Sequence, residues 1–390
     1  MAHRNRWQPK AYQSGSSVTP ASTGQASSTS AGYPPVTPGG FAPADSKALS
    51  EVERARQVIG SSSKNPMKSM VKRLSKHSPA YLTAWVLFGL LILTAVLGTW
   101  LMPHSIADSE KFQFRQELVD GQTVYTTPPV KPNSEFLLGT DHRGIDLLSL
   151  LLNGMKLTLG FSLSIALCRF LIGVPLGLWG GSSRFGRSFI RIIQMTTSAV
   201  PALILLFPAL YMAYYILNLS MVIPGQEWKL TLFSVMLFGS VSFLGIAPVA
   251  DQVAERTRFF TNKEYVSAAR LMGAGRVRIA RRHILPNLAP ELLFAFLAEL
   301  IQVLFLLGQL AVLGIFLGGS EIVNLEDGMP TIQQSRSGEW CALISYGTRF
   351  IQFYPHILLG TGLFFILTVA ILKFFLTQLQ KKHTRVRDVL

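Results

Sequence analysis

The amino-acid sequence predicts an all-α integral membrane protein with six transmembrane helices. Of its 390 residues, 49% are hydrophobic and only 15% are charged, whereas soluble globular domains carry about 25% charged residues. Several uninterrupted apolar runs exceed the roughly 18 residues that a helix needs to cross a bilayer. Their number and length favour a multi-pass bundle over a single anchor.

Six apolar runs define the predicted spans, and the polar segments between them define the remaining organisation. The spans cover approximately residues 79–102, 157–179, 189–217, 230–250, 292–317 and 350–376. Residues 1–78 form a tail whose first ~50 residues are rich in Ser, Thr, Pro and Gly, so they bury too little apolar surface to fold. The tail has no early apolar core and is therefore not a secretory signal.

Charge orients the spans. The tail before the first span, the short link "SSRFGRS", the loop 251–290 and the final residues 379–390 are all basic. The segment 103–152, the link near Gln226 and the loop 319–349 lie opposite them. Because cytoplasmic segments concentrate Lys and Arg, both termini are predicted to be cytoplasmic. The formal net charge of +15 is then topological and does not indicate nucleic-acid binding.

Motifs for nucleotide, metal and nucleophilic chemistry are absent from the sequence. It contains no G-x-x-x-x-G-K-[ST], C-x-x-C, H-E-x-x-H or G-x-S-x-G, and its seven histidines are scattered without metal-ligand spacing. Cys168 and Cys341 are not expected to form a disulfide. No catalytic residue, bound metal or cofactor is therefore predicted for this chain.

Polar and helix-disturbing residues inside the spans suggest a bundle with mobile parts. Arg169 lies deepest, and it could line a pathway, pair with another subunit or a carbonyl group, or lie near a shifted boundary. Two acids, Glu291 and Glu299, lie near the start of the fifth span. Ordinary helix packing is the alternative explanation for the prolines and the small-residue pairs: Pro175, Pro201, Pro208, Pro248, Gly173/Gly177 and Gly314/Gly318.

The loop 251–290 contains two predicted helical segments. In "NKEYVSAARLMG", Asn262 is a candidate N-cap and Glu264 lies in the first turn, where the helix dipole favours negative charge. Ala268 and Ala269 give the helix a small-residue surface, and Gly273 supplies a stop. A second basic segment, "GRVRIARRHI", is expected to be broken by "LPN" before the fifth span. The spacing is compatible with docking to a partner or with a plain surface helix.

The same stretch resembles the EAA motif of permease subunits of bacterial ABC importers, broadly E-A-A-x3-G-x9-I-x-L-P. Ala268, Ala269, Gly273, Leu285 and Pro286 occupy matching positions. Two positions depart from the motif, since Ser267 stands in place of Glu and His283 in place of Ile. The longer form "EYVSAARLMGAGRVRIARRHILPN" is similar to the version found in dipeptide, oligopeptide and nickel permeases.

A second segment, "LGTDHRGIDLLSLLLNGMKLTL", resembles the sequence that precedes the second span of C-type permeases in those systems. Ile145 and Leu150 stand where arginines are common. Locally, Asp141 and Gly144 predict an ordered elbow outside the membrane. The matching positions are Gly139, Thr140, Asp141, Gly144, Asp146 and Ser149.

The resemblance covers residues from about 70 to the end of the chain. The low-complexity leader lies outside it, and the C-terminus lacks the G-D-x-L-R-D-x-L-D-P ending common in such permeases.

The resemblance implies a type I ABC importer permease, with a five-helix core in residues 153–378 and one N-terminal helix at 79–102. It implies a second permease subunit as heterodimer partner, two cytosolic ATPase subunits that bind ATP and Mg²⁺, an extracytoplasmic solute-binding protein and the lipid bilayer. The first loop helix, about 263–272, would be the coupling helix. The implied coupling residues are Glu264, Tyr265, Ser267, Ala268, Ala269, Arg270, Gly273, Ala274, His283, Pro286 and Asn287.

Within that resemblance the roles differ. Ala268, Ala269 and Gly273 would permit close docking, Glu264 and Arg270 would make polar contacts, and Pro286 would fix the exit into the fifth span. A peptide is the leading substrate, with nickel or another small solute as the alternative. A secondary carrier and a non-transporting membrane scaffold are the hypotheses from other classes.

Overall fold

The computed structural model describes residues 79–106, 115–119, 122–126, 128–218, 228–317, 320–323, 332–335 and 338–387. The tail 1–78, the link near Gln226 and Gly318 lie outside these residues. Ten helices occur in the described part: α1 Pro79–Leu97, α2 Leu147–Ser182, α3 Arg184–Ser198, α4 Ala202–Asn218, α5 Trp228–Thr261, α6 Glu264–Leu271, α7 Arg276–Ile279, α8 Leu285–Val312, α9 Trp340–Arg349 and α10 Pro355–Arg387.

Five helices in the described part are long and apolar enough to cross a membrane, and a bent helix pair makes six. The five single helices are α1, α2, α5, a continuous helical stretch Arg276–Val312, and α10. The bent pair is formed by α3 and α4. The predicted all-α membrane class is confirmed. Several helices continue well beyond the predicted apolar spans: α2 begins at Leu147, α5 ends at Thr261, and α10 reaches Arg387.

The third predicted span, 189–217, is not one straight helix. It consists of α3 and α4, which meet at 71°. The break falls at Pro201, between the end of α3 at Ser198 and the start of α4 at Ala202. Proline lacks an amide hydrogen and its ring clashes with the preceding turn, so the helix bends there. In contrast, Pro208 lies inside α4 and Pro175 inside α2 without ending either helix.

The two ends of the helix bundle differ, because cavities lined by polar side chains open at one end and the folded segment 128–146 lies at the other. At one, which we call the basic end, Ser182, Thr261 and Ile284 line one cavity, and Arg256 and His383 line another. The opposite end, the elbow end, holds residues 128–146. There, Thr99 donates a hydrogen bond to Asn153 and His356 lies beside Gly139.

Helix α1 packs antiparallel to α10 through aromatic rings. Phe88 stacks on Phe375 with a centroid distance of 4.1 Å and an interplanar angle of 2°, and Trp85 meets the same ring edge-on at 4.9 Å. At the basic end, the Lys382 ammonium lies 4.2 Å from the centre of the Tyr81 ring. These contacts fix the N-terminal helix to the last one.

Helices α2 and α5 run parallel and pack closely through glycines of α2. A methyl group at Gly173 would lie 2.7 Å from Val249, and one at Gly177 would lie 2.5 Å from Val253, so both glycines are needed for the close approach. Helix packing, the alternative explanation given for the Gly173/Gly177 pair, is what the structure shows at these two positions. Gly314 has a different role, because it adopts φ +85° in the turn after α8.

Two short antiparallel hairpins accompany the helices. In the first, Arg115–Val119 (β1) pairs with Gln122–Thr126 (β2), and Arg115 is opposite Thr126. In the second, Ser320–Val323 (β3) pairs with Ile332–Ser335 (β4), and Ser320 is opposite Ser335. Both lie in segments predicted to connect spans. Cys168 and Cys341 are free thiols, as predicted.

Candidate functional site

The segment 251–290 is mostly helical, and its first part belongs to α5. The Asn262 amide donates to the carbonyl of Arg258 at 3.3 Å, so Asn262 closes the last turn of α5. The prediction that it caps the next helix is wrong. Lys263 occupies the N-cap position of α6 without a side-chain cap, and its ammonium lies 4.4 Å from the centre of the Phe259 ring. Glu264 lies in the first turn, as predicted.

Gly273 ends α6 through a left-handed turn. It adopts φ +81°, which costs glycine little but strains other residues. Its amide donates to the carbonyl of Arg270 at 3.0 Å, and the Ala274 amide donates to the carbonyl of Ala269 at 3.0 Å. A methyl group at Gly273 would touch nothing within 4 Å. The predicted stop is confirmed, and it depends on backbone conformation rather than on space.

The buried side of α6 fixes it to the end of α5 and to residues 279–284, which precede α8. Val266 and Ala269 pack in a small cluster with Ile279 and Ile284, against Phe260 of α5. The two adjacent alanines therefore have different environments, since Ala268 is exposed and Ala269 is buried. A smooth surface made by both is not observed, because neighbouring helix positions point about 100° apart.

An apolar tip is exposed where α6 ends and α7 begins, and we define it as Leu271, Met272 and Val277. These side chains are 91%, 82% and 81% exposed, far more than an apolar group at a packed surface. Tyr265 is 41% exposed on α6. Ser267, Ala268 and Arg270 are also exposed.

The second half of the segment enters α8 without a break. Helix α7 is followed by a π-helical turn, Ala280–Ile284, and α8 begins directly at Leu285 with Pro286 in its first turn. The prediction that "LPN" breaks the helix is wrong. Proline is tolerated in a first helical turn, and the wider π turn precedes its ring. Asn287 is exposed and donates to the carbonyl of His283 at 2.7 Å.

A cavity of about 390 Å³ and another of about 320 Å³ open at the basic end. The smaller lies beneath α6 and is lined by Arg270 and Arg276 together with Ser182, Thr261 and apolar groups. No carboxylate is among its lining residues.

The second predicted region, at the elbow end, is a compact turn around Asp141. This carboxylate is 1% exposed and accepts hydrogen bonds from the amides of Arg143 and Ile145, each at 2.9 Å. The Arg143 guanidinium binds its second oxygen at 3.0 Å. Burial raises the pKa of Asp141 despite the neighbouring guanidinium. Gly144 has φ +78°, which completes the turn.

Asp146 links this turn to α2. Its carboxylate accepts hydrogen bonds from the amides of Leu148 and Ser149 at 3.3 and 3.0 Å, and from the Ser149 hydroxyl at 2.7 Å. It is therefore the N-cap of α2. The Thr140 hydroxyl accepts from the Val130 amide at 2.8 Å. Gly139 has φ +81°. The structure brings all six predicted elbow residues together.

His142 is an elbow residue that the motif match did not identify. Its ring packs among Tyr346, Phe350 and Tyr354, and its amide donates to the Tyr346 hydroxyl at 3.3 Å. Burial lowers the pKa of His142 to about 4. The elbow is thereby fixed to α9 and to the start of α10. The contacts that identify His142 are with residues far away in the chain, so the local sequence gives no sign of them.

Arg169 and Glu299 form a buried ion pair between α2 and α8. Sequence inspection identified each of them separately but could not pair residues 130 positions apart. Among the described residues, no group of three His, Cys, Asp or Glu side chains is placed to hold a metal ion.

The apolar helices and the folded segment 251–290 define the class as a multi-pass membrane protein that presents a structured segment between two spans. Residues 173–385 match the family described as binding-protein-dependent transport system inner membrane component. The chain belongs to this family, whose members are membrane subunits of transporters. The recognition of an ABC importer permease from the quoted motifs is confirmed.

Three proteins similar to this chain are named as permeases for peptides or glutathione. The chain is 28% identical over 298 residues to the dipeptide transport system permease protein DppC of Bacillus subtilis, covering 75% of this chain and 82% of that protein. It is 29% identical over 240 residues to the di/tripeptide transport system permease protein DppC of Pseudomonas aeruginosa, covering 60% and 69%. Against the glutathione transport system permease protein GsiD of Pectobacterium atrosepticum, it is 25% identical over 280 residues, covering 72% and 78%.

Proposed function

We propose that this chain forms half of the translocation pathway of an ATP-driven peptide importer and couples to a separate ATPase through the segment 251–290. The observation that carries the proposal is the apolar tip Leu271, Met272 and Val277, which the folded helices α6 and α7 leave 81–91% exposed. Burying exposed apolar side chains of this size in a protein partner is favourable by about 1.5–3 kcal/mol each. A helix that only covered the bundle would turn these groups inward.

The chemistry beneath the tip supports a protein partner. Arg270 and Arg276 line a cavity of about 320 Å³ without a lining carboxylate, so an acidic side chain of the partner would complement it. Glu264 and Ser267 are exposed on α6 and supply further polar contacts. Ala268 and the Gly273 turn permit close approach. ATP and Mg²⁺ belong to the partner ATPase, because this chain contains no phosphate-binding motif.

We place the basic end in the cytoplasm of a bacterial cell, with the protein in the plasma membrane and both chain termini cytoplasmic. The positive-inside rule supports this orientation, since Arg256, Arg270 and Arg276 line the cavities at this end. The elbow end then faces the extracytoplasmic solute-binding protein. A second permease subunit would complete the pathway, and nucleic acid has no role.

Peptides are the proposed substrate class because the relatives named above are called dipeptide, di/tripeptide and glutathione permeases. Uptake of labelled tri-alanine by cells that express the complete importer tests this assignment. Uptake that requires this chain is expected. Uptake of nickel but not peptide would transfer the assignment to the alternative substrate.

The coupling role is tested by co-purification of the ATPase subunits with two matched glycine variants. Gly273→Val places a β-branched residue at φ +81°, where it is strained, and should abolish co-purification. Gly275→Val is the control, because Gly275 has an extended backbone with φ −69° and ψ 158°. Equal recovery of ATPase with both variants would refute the coupling role.

Orientation is tested by labelling a cysteine in the apolar tip. Val277→Cys, in a Cys168→Ser/Cys341→Ala background and in cells without the ATPase subunits, should react with a membrane-impermeant maleimide in inside-out vesicles and not in intact cells. The reverse pattern would invert the proposed topology.

A further inference from the structure

The bundle interior contains an arginine of α2 that contacts two other helices, α5 and α8. Arg169 of α2 is 4% exposed and Glu299 of α8 is 7% exposed. One guanidinium nitrogen of Arg169, Nη1, donates to Oε1 of Glu299. The other, Nη2, donates to the carbonyl of Val241 in α5 at 2.6 Å. Among the described ion pairs, this is the one in which both side chains are less than one-tenth exposed.

A glycine of α5 makes room for this arginine. A methyl group at Gly245 would overlap the Arg169 guanidinium, so the close approach requires glycine. The next contacts along the two parallel helices are Gly173 with Val249, then Gly177 with Val253. Each contact lies one turn beyond the last on both helices, which indicates a fixed register. Arg169 occupies the first position of this series and is the one that reaches a third helix.

The pair is poorly explained by stability alone. Moving two charges out of water is costly, and an apolar pair of similar volume is often equally stable or more so. Directional hydrogen bonds, unlike apolar packing, fix one relative position of the helices that they join. The helices positioned here are α5, which leads into the segment 251–290, and α8, which leads out of it.

We propose that Arg169 is a positioning residue, which locks α8 onto the α2–α5 pair through Glu299 so that the three helices move as one body. The inference rests on the proposed function, because the displacement that the lock transmits is the one that the ATPase would impose on α6. With the lock in place, α5 and α8 cannot slide past each other when the segment between them is pulled. The movement is thereby passed to α2.

Spin-label distances test the lock directly. Leu171 of α2 and Leu293 of α8 are 78% and 50% exposed, so cysteines at these positions accept labels without entering the core. The full chain, in a Cys168→Ser/Cys341→Ala background, is reconstituted in nanodiscs and measured by double electron–electron resonance. A narrow distance distribution is expected for otherwise unaltered protein. A distribution at least twofold wider is expected for R169M/E299L.

The glycine at position 245 provides a second, independent variant. Gly245→Ala retains both charged groups and displaces the guanidinium, so it should also widen the distribution. Gly239→Ala is the matched control, because Gly239 lies in the same helix and a methyl group there touches nothing within 4 Å. Thermal unfolding of each variant is measured alongside, since a purely structural contact would alter the melting temperature and leave the distance width unchanged.

Two outcomes would overturn the proposal. One is an unaltered width in R169M/E299L or in Gly245→Ala. The other is a shift of the Leu171–Leu293 label distance in the otherwise unaltered importer between nucleotide-free and ATP–vanadate states. The widths are measured on the chain itself, so they test the lock even where ATPase subunits fail to associate. Failure of association would instead refute the proposed coupling.

Discussion

Glu339 gives a prediction about how the stability of the protein depends on pH. It is a buried carboxyl group, and no cation is among the groups that shift its pKa. It precedes α9, is 2% exposed and accepts a hydrogen bond from the Leu317 amide at 2.7 Å. Burial raises the pKa of Glu339 from 4.5 to about 8. The neighbouring Cys341 thiol has its pKa raised well above 9 by burial and by Glu339, so it stays neutral throughout the range considered.

The sign follows from proton uptake. Between pH 4.5 and 8 the folded protein holds a proton on Glu339 that the unfolded chain releases, so stability falls as the pH rises. The contribution is complete below pH 4.5 and is lost as the pH rises through 8. Each pH unit in this window is equivalent to about 1.4 kcal/mol. The free energy of unfolding should therefore fall by about 2–3 kcal/mol between pH 6 and pH 9 because of this group.

Glu339→Gln isolates the effect. The amide oxygen still accepts from the Leu317 amide, and the side chain cannot ionise. Thermal unfolding in detergent from pH 6 to pH 9 should show a falling melting temperature for the unaltered protein and a markedly flatter profile for the variant. Glu135→Gln, at an exposed position of the elbow end, is the control and should retain the original profile. Parallel profiles for the unaltered protein and Glu339→Gln would refute the reasoning.

Three further predictions concern the elbow and the first helix. Asp146→Ala should destabilise the protein by about 1–2 kcal/mol in thermal melts, because the cap of α2 and the bond to Ser149 are lost, while Asp146→Asn should retain most of the stability. Gly139→Ala should reduce the yield of folded protein, since its left-handed backbone is strained for alanine and the methyl group would lie 2.5 Å from a backbone oxygen. Phe88→Ala should weaken the packing of α1 on α10 by about 0.5–1.5 kcal/mol, because the stack on Phe375 is lost, and increased proteolysis of the N-terminal region would report it.

The spans were predictable because their apolar runs are long, but their polar extensions were not. Helix α5 continues to Thr261 and α10 to Arg387, through sequence that is too charged to be counted as a span. Helix formation there depends on tertiary packing more than on hydropathy. Proline at position 201 made a break possible there. However, Pro175 and Pro208 leave their helices continuous, so residue type does not decide which proline bends a helix.

The two motif regions were predictable as local structures, because their signals are local. Gly273 ends α6 and Asp146 caps α2, and each acts through backbone groups within a few positions of itself. The partners of His142 and Arg169 lie elsewhere in the chain, 204 and 130 positions away for Tyr346 and Glu299. A single sequence does not contain that information.

Arg169 and Glu299 therefore have a different role from the one that an unpaired arginine inside a membrane would suggest. A secondary carrier needs an ionisable group that can change partner or protonation during transport. Arg169 instead has Glu299 and the Val241 carbonyl as fixed partners on two other helices, and removing one member of a buried pair typically costs about 3–5 kcal/mol. A group held so firmly cannot alternate between partners at low cost. This argues against ion-coupled transport by this pair and supports a transporter whose driving force enters from outside the bundle, at the exposed helix α6.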